Sequence, residues 1–147
     1  MIQSFKDLKV WRKAMVAAME VFVLTKAFPR EERFSLTDQI RRSSRSVPTN
    51  VSEAWRKRRY PAAFVSKLND AEGEAAETQT HLELALRCNY LNLEAAARLD
   101  GIYNEILAML DDMASHPEQW ARGAQGGQRG EGRKEKGEQR NEMGVGG

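Results

Sequence analysis

The residues best suited to chemistry lie in one stretch, residues 36–60, where seven basic side chains stand against two acidic ones. On a helix that turns 100° per residue, four of these arginines share the face opposite an apolar stripe. A planar guanidinium donates two parallel hydrogen bonds to a phosphate and stacks on nucleobases, so such a face is typical of a surface that binds nucleic acid. The residues predicted to contact nucleic acid are Arg41, Arg42, Arg45, Arg56, Lys57 and Arg59.

The same face has a second interpretation, as an ordinary solvated surface paired with acidic groups. Residues 61–118 carry 3 basic and 11 acidic side chains. Asp70, Glu74 and Glu77 could supply partners within one subunit or the next, although an exposed ion pair typically contributes under about 1 kcal/mol. The uneven charge indicates a polyanionic partner or a complementary protein surface, and the sequence leaves both open.

Residues for catalysis or metal binding are sparse. The two histidines, His81 and His116, fall on different predicted helices, and His81 has no second ligand at metal-binding spacing. We therefore interpret His81 as a helix-surface residue. The carboxylates at residues 72–77 lack the Glu-x-x-His pattern of di-iron bundles, and the serines near residue 44 have no base beside them. We predict no enzymatic activity, no metal and no cofactor.

Helical periodicity without a competing strand pattern runs through residues 1–118. Capping residues Ser4 with Asp7, and Ser35 with Asp38, open the first two helices, and Pro61 suits the first turn of the third. The second helix is predicted to end before Arg58, which would otherwise fall on the apolar side. A break at residues 89–92 opens the fourth helix, which ends before Pro117. Residues 1–118 are thus predicted to form an all-α fold, an up-and-down antiparallel four-helix bundle.

The first helix carries two apolar stripes where a bundle needs one. The stripe predicted to face the core is Leu8, Trp11, Met15, Ala18 and Phe22. The second stripe lies about 100° further round the helix. It indicates either a wide, alanine-rich core face or a subunit interface. The residues predicted to form a homo-oligomer interface are Val10, Ala14, Ala17, Val21 and Leu24.

The amino-acid composition predicts the properties of the rest of the chain. Nine of the eleven glycines fall between Gly123 and Gly147, so residues 119–147 are predicted to be a disordered Gly/Arg/Glu-rich tail. The single cysteine, Cys88, suits a reducing compartment, and no apolar run is long enough for a membrane span. We expect a cytoplasmic protein without a membrane partner.

Four motifs carry a family resemblance that covers about residues 5–114. They are F-K-D-L-K-V-W in the first helix, then T-K-A-F-P, then L-T-D-Q-I-R-R, then S-V-P-T-N-V-S-E. In this combination the chain resembles the four-helix bundle family encoded by open reading frames within intervening sequences of bacterial 23S ribosomal RNA. The resemblance implies a small bundle that assembles into a ring, usually a homopentamer, and binds nucleic acid. A related bundle is the accessory variability determinant of diversity-generating retroelements, a pentamer that partners a reverse transcriptase and its RNA.

Individual residues match this family pattern or depart from it. Arg41 and Arg42 match its R-R pair, and the segment from Pro48 to Glu53 matches its P-x-N-x-x-E element, which the resemblance implies is structural. Trp55 stands near where the family usually has glycine. Arg45 stands where an apolar or small residue is common, so this chain is more basic than the pattern.

Residues and resemblance together predict a non-enzymatic, homo-oligomeric accessory protein that binds nucleic acid, RNA rather than DNA, through the basic face of its second helix. The alternative is a protein-interaction scaffold, such as an accessory subunit of a reverse transcriptase, that makes no direct contact with nucleic acid.

Overall fold

A computed structural model describes residues 1–121 as four helices joined by short connections. Each helix packs against its neighbours in sequence, and the first and fourth also pack together, so the bundle closes on itself. This up-and-down antiparallel arrangement confirms the predicted all-α fold, and the described residues contain no strand. The helices are α1 (Lys9–Thr25), α2 (Leu36–Arg56), α3 (Pro61–Arg87) and α4 (Leu93–Ser115).

The domain extends slightly beyond its predicted end at residue 118. Pro117–Gln119 form a 3₁₀ turn, and the half-buried Trp120 packs against the core. The bulk of the predicted disordered tail, residues 122–147, lies outside the described residues. Between residues 1 and 121, no helix is both long and apolar enough to cross a membrane.

The N-terminus contains the predicted capping box, but it opens a different element. The Ser4 hydroxyl accepts a hydrogen bond from the Lys6 amide at 3.1 Å, and the Asp7 carboxylate accepts one from the Ser4 amide at 3.2 Å. A further bond from the Gln3 amide, together with that from Ser4, lowers the pKa of the Asp7 carboxyl. These bonds stabilise a 3₁₀ turn over Phe5–Asp7, and α1 itself begins two residues later.

α2 begins where it was predicted to begin, with Ser35 at the N-cap position, but the predicted capping is wrong because the Ser35 side chain caps no amide. Its hydroxyl donates instead to the Glu32 carboxylate at 2.7 Å, and the same carboxylate oxygen accepts from the Leu36 amide at 3.3 Å. The other carboxylate oxygen accepts from the Tyr90 hydroxyl at 2.8 Å. Glu32 thus links the α1–α2 connection to the α3–α4 connection, and its hydrogen bond raises the pKa of Tyr90 to about 12.

The apolar face predicted for α2 is confirmed as the face that packs against the bundle. Two serines flank it and permit close helix approach, since the Ser43 hydroxyl lies 2.8 Å from the Thr78 hydroxyl of α3. Burying this stripe directs the opposite, basic face of α2 away from the core. The buried apolar residues of this face are Leu36, Ile40, Val47, Val51, Ala54 and Trp55.

The interface predicted on α1 is wrong, because that stripe forms the core. Val10, Ala14, Ala17 and Val21 are at most 3% exposed, and Leu24 is half-buried against them. The small alanines allow the other helices to approach closely. Of the stripe predicted to face the core, Leu8 and Ala18 are buried, Trp11 and Phe22 are half-buried, and Met15 is exposed. The exposed stripe, which we call the apolar face, consists of Met15, Val16, Met19 and Val23.

His81 was predicted to lie on the surface, and the structure corrects this. It is buried on α3, with Nε2 3.3 Å from a Glu77 carboxylate oxygen. Its Nδ1 has no hydrogen-bond partner among the described residues. His116 is exposed at the end of α4. No group of three candidate metal ligands occurs in residues 1–121.

Tyr103 is a fully buried core residue, and burial raises the pKa of its hydroxyl. The hydroxyl has no hydrogen-bond partner in the described structure. Below the unfolded-state pKa of about 10, the tyrosine is neutral in both states and its full contribution to stability is present. As the pH rises above that value, ionisation stabilises the unfolded state, and the contribution is progressively lost. The protein should therefore lose stability at alkaline pH.

We expect Tyr103→Phe to remove this loss. Between pH 8 and pH 11 the wild type should lose about 1.4 kcal/mol more stability than the variant, because the unfolded tyrosine ionises while the buried one does not. Urea unfolding at both pH values measures the difference, and Tyr60→Phe, at an exposed tyrosine, is the matched control. Equal losses in wild type and Tyr103→Phe would contradict the expectation.

Candidate nucleic-acid interface

The six predicted contact residues form two groups on either side of Pro48; four of them lie on α2, and Lys57 and Arg59 follow its last residue. The helix has 21 residues and is therefore about 30 Å long. Arg41, Arg42 and Arg45 lie in its first half, and the remaining three lie at its C-terminal end. Five of the six are exposed, and Arg41 is half-buried. The bundle thus presents one basic group on the first half of α2 and a second group where α2 ends.

The C-terminal group, Arg56, Lys57 and Arg59, is exposed where α2 passes into α3. No carboxylate of the described residues lies within salt-bridge distance of these three side chains. Arg58 differs, because its guanidinium carbon lies 3.4 Å from the centre of the Trp55 ring and its Nε donates to the Trp55 carbonyl at 2.8 Å. This confirms the prediction that α2 ends before Arg58.

The first-half group surrounds an aromatic ring of α1. The guanidinium carbons of Arg41 and Arg45 lie 4.8 Å and 5.5 Å from the centre of the Phe22 ring. Lys26 adds an ammonium 4.9 Å from the same centre. Cations near an aromatic face are attracted by its quadrupole, by about 0.5–1 kcal/mol each at exposed sites. We call these four residues, Phe22, Lys26, Arg41 and Arg45, the Phe22 cluster.

Sequence reasoning missed half of this cluster. Phe22 was assigned to the core stripe of α1, and Lys26 was not singled out. A signal was available, because the two residues are four apart and so share a helix face. Their meeting with α2, however, depends on how the two helices pack.

A polar groove of about 440 Å³ lies beside the Phe22 cluster. Its single acidic residue, Asp38, lies 3.4 Å from Arg42 in an exposed i, i+4 pair. Arg33, Arg41 and Arg45 also line the groove, so the one carboxylate does not neutralise it. The groove is lined by Arg33, Thr37, Asp38, Arg41, Arg42, Arg45, Ser46 and Thr49.

The predicted pairing with the acidic helices is largely absent from residues 1–121. The one ion pair between α2 and α3 joins Lys67 to Glu53 at 2.8 Å, so it uses an acidic residue of α2. Arg42 is near enough to Glu74 to favour its charged form, but burial outweighs this and raises the pKa of Glu74. The basic residues of α2 therefore keep most of their charge available to an external partner.

A separate surface surrounds the apolar face of α1. One groove, of about 580 Å³, lies between α1 and α4, and a smaller one, of about 330 Å³, lies between α1 and α2. The larger groove is bridged by an ion pair in which Arg98 of α4 donates to both carboxylate oxygens of Glu20. Met15 and Met19 line both grooves, so the apolar surface is continuous across α1.

Comparison with known proteins identifies relatives in sequence and structure. A profile of the family described as "23S rRNA-intervening sequence protein" matches residues 6–112. A crystal structure of a protein with unknown function, from the S23 ribosomal protein family of Bacteroides thetaiotaomicron VPI-5482, is 32% identical in sequence. The match covers 71% of this chain and 97% of that chain, with a TM-score of 0.65. Among curated proteins, none matches.

Proposed function

The chain belongs to the 23S rRNA-intervening sequence protein family, and from this premise we propose that it is a non-enzymatic, homo-oligomeric RNA-binding protein. The observation that carries the proposal is the basic face of α2, where Arg56, Lys57 and Arg59 are exposed without a carboxylate partner in the described structure. Phosphate contacts by such side chains release counterions from the nucleic acid and supply affinity that does not depend on sequence.

RNA is the polyanion that the family description favours, because the family takes its description from an insertion in ribosomal RNA. The chemistry agrees, since arginine binds phosphates bidentately and stacks on unpaired bases. The exposed free thiol of Cys88 suits a reducing cytoplasm, where such RNA is present.

The homo-oligomeric part of the proposal uses the apolar face of α1 in place of the stripe predicted from the sequence. Val16, Met19 and Val23 are each more than half exposed, and grooves adjoin them on both sides. Continuous exposed apolar patches mark association sites, and the family resemblance implies a ring, usually a pentamer.

The proposal predicts strongly salt-dependent RNA binding. If one subunit neutralises about six phosphates, a plot of log affinity against log salt concentration should have a slope of about −4 for a single strand and about −5 for a duplex. Fluorescence anisotropy of a labelled structured RNA between 50 and 200 mM salt measures this slope. A slope near zero, or no binding at the lowest salt, would remove the RNA-binding proposal.

The apolar face also supports a second candidate, a protein-interaction scaffold. In this reading the grooves beside α1 receive a different protein, such as a reverse transcriptase, and the basic face of α2 meets an acidic protein surface. Charge reversal on α2 separates the candidates, because only the first predicts loss of RNA binding by an assembly that stays intact.

A further inference from the structure

We propose that the groove beside the Phe22 cluster is a binding site for a single phosphate group, with the Arg41 guanidinium held in position before the ligand arrives. This inference rests on the proposed function only for the source of the phosphate, which would be an RNA backbone. The site itself is argued from the contacts of α1 with α2.

Arg41 is the best-positioned basic residue of α2. Its Nε donates to the Thr25 hydroxyl at 2.7 Å, and its guanidinium plane lies near the Phe22 ring. These contacts use one of its five N–H groups and restrain the side chain, which is half-buried. The terminal nitrogens make no hydrogen bond to other described residues, so they remain free to donate two parallel bonds to a phosphate.

The surroundings of Arg41 hold an excess of positive charge. Lys26, Arg41 and Arg45 converge on one ring, and no carboxylate of residues 1–121 lies within salt-bridge distance of any of them. Like charges held near one another repel, and an anion bound in the groove beside Arg41 and Arg45 relieves that repulsion. Positioned cations of this kind cost less ordering on binding than flexible ones, which favours this site over the C-terminal end of α2.

The lining of the groove supports a phosphate more than a carboxylate. The hydroxyls of Thr37 and Ser46 can donate to additional oxygens, and a phosphate has more acceptor oxygens to fill. Asp38 opposes an anion, but its carboxylate is paired with Arg42. The volume of about 440 Å³ exceeds what a lone phosphate needs and leaves space for an attached nucleoside.

The test is a titration of the full chain with inorganic phosphate, at an ionic strength held constant with sodium chloride. The readout is the NMR resonance of the Arg41 Nε–H group, which its bond to Thr25 protects from exchange. We expect a saturable shift in wild type and an affinity about tenfold lower in Arg41→Lys, which keeps the charge but loses the planar fork. Arg87→Lys, the same change at an exposed arginine of α3, should leave the affinity unaltered.

Further arms identify the source of the phosphate. A mononucleotide and an eight-nucleotide single-stranded RNA with a 5′-hydroxyl should both compete with inorganic phosphate, and the RNA should bind more tightly than the mononucleotide. Competition by the mononucleotide alone would keep the phosphate site and overturn the proposed RNA-binding function. The opposite result is also informative. If inorganic phosphate causes no saturable shift, and Arg41→Lys and Arg56→Lys weaken RNA binding equally, the phosphate site is overturned and the proposed function stands.

Discussion

Reversing the charge at Arg56 and Arg59 together is expected to weaken RNA binding about 100-fold at 50 mM salt. Each residue is exposed and without a carboxylate partner in the described structure, so its whole charge is available to a phosphate. Replacing a cation by glutamate removes one phosphate contact and adds a repulsive one, which we take as about tenfold per site. The salt slope should fall by about 2 units, since two counterion-releasing contacts are lost.

The matched control for Arg56→Glu with Arg59→Glu is Arg12→Glu with Arg87→Glu. Both control residues are exposed and lie on other helices, α1 and α3, and both doubles change the net charge equally. Any difference in RNA affinity therefore reports location rather than total charge. If both double variants lose the same RNA affinity, the loss reflects the change in net charge and not a binding site at Arg56 and Arg59. Loss of the assembly in the α2 variant alone would favour the protein-scaffold reading.

Met19→Glu with Val23→Glu is expected to convert the proposed homo-oligomer into folded monomers. Both residues are more than half exposed, so the substitutions should leave the bundle core intact. In an assembly that buries the apolar face, each carboxylate would be removed from water without a partner, at a cost of several kcal/mol. Size-exclusion chromatography with light scattering measures the mass, and circular dichroism measures the remaining helix.

The control for the apolar face is Leu84→Glu with Leu93→Glu, at exposed apolar positions of α3 and α4. This variant should keep the wild-type mass. A wild-type protein that is monomeric at 100 µM, or a Met19→Glu with Val23→Glu variant that keeps its mass, would contradict the proposed assembly. Monomers that still bind RNA with reduced affinity would indicate that the ring adds multiple weak contacts.

The helices themselves could be predicted from local patterns. Pro61 begins α3 as expected, and Asn92 caps α4 by accepting from the Ala95 amide at 2.7 Å. The start of α2 was predicted locally from Ser35, but the contact of Glu32 with Tyr90 was not, because these residues are 58 positions apart and meet only when the bundle closes. The serine marked the correct helix start, but its hydroxyl donates to the Glu32 carboxylate and caps no backbone amide.

The division of α1 into core and surface also required the tertiary structure. Apolar residues occupy most of its circumference, so periodicity alone could not say which of them the other three helices cover. Ala14 and Ala17 bury completely because their small side chains let the helices pack closely, whereas Met19 remains outside. The same packing decided that His81 would be buried.

The sequence by itself determined four helices, their order, the family and a basic face on α2, since these depend on residue type and helical spacing. Only the tertiary structure decided which stripe of α1 is exposed and which cations converge on Phe22. The physical reason is that spacing defines directions around one helix axis, whereas contact between helices depends on the closest packing of all four.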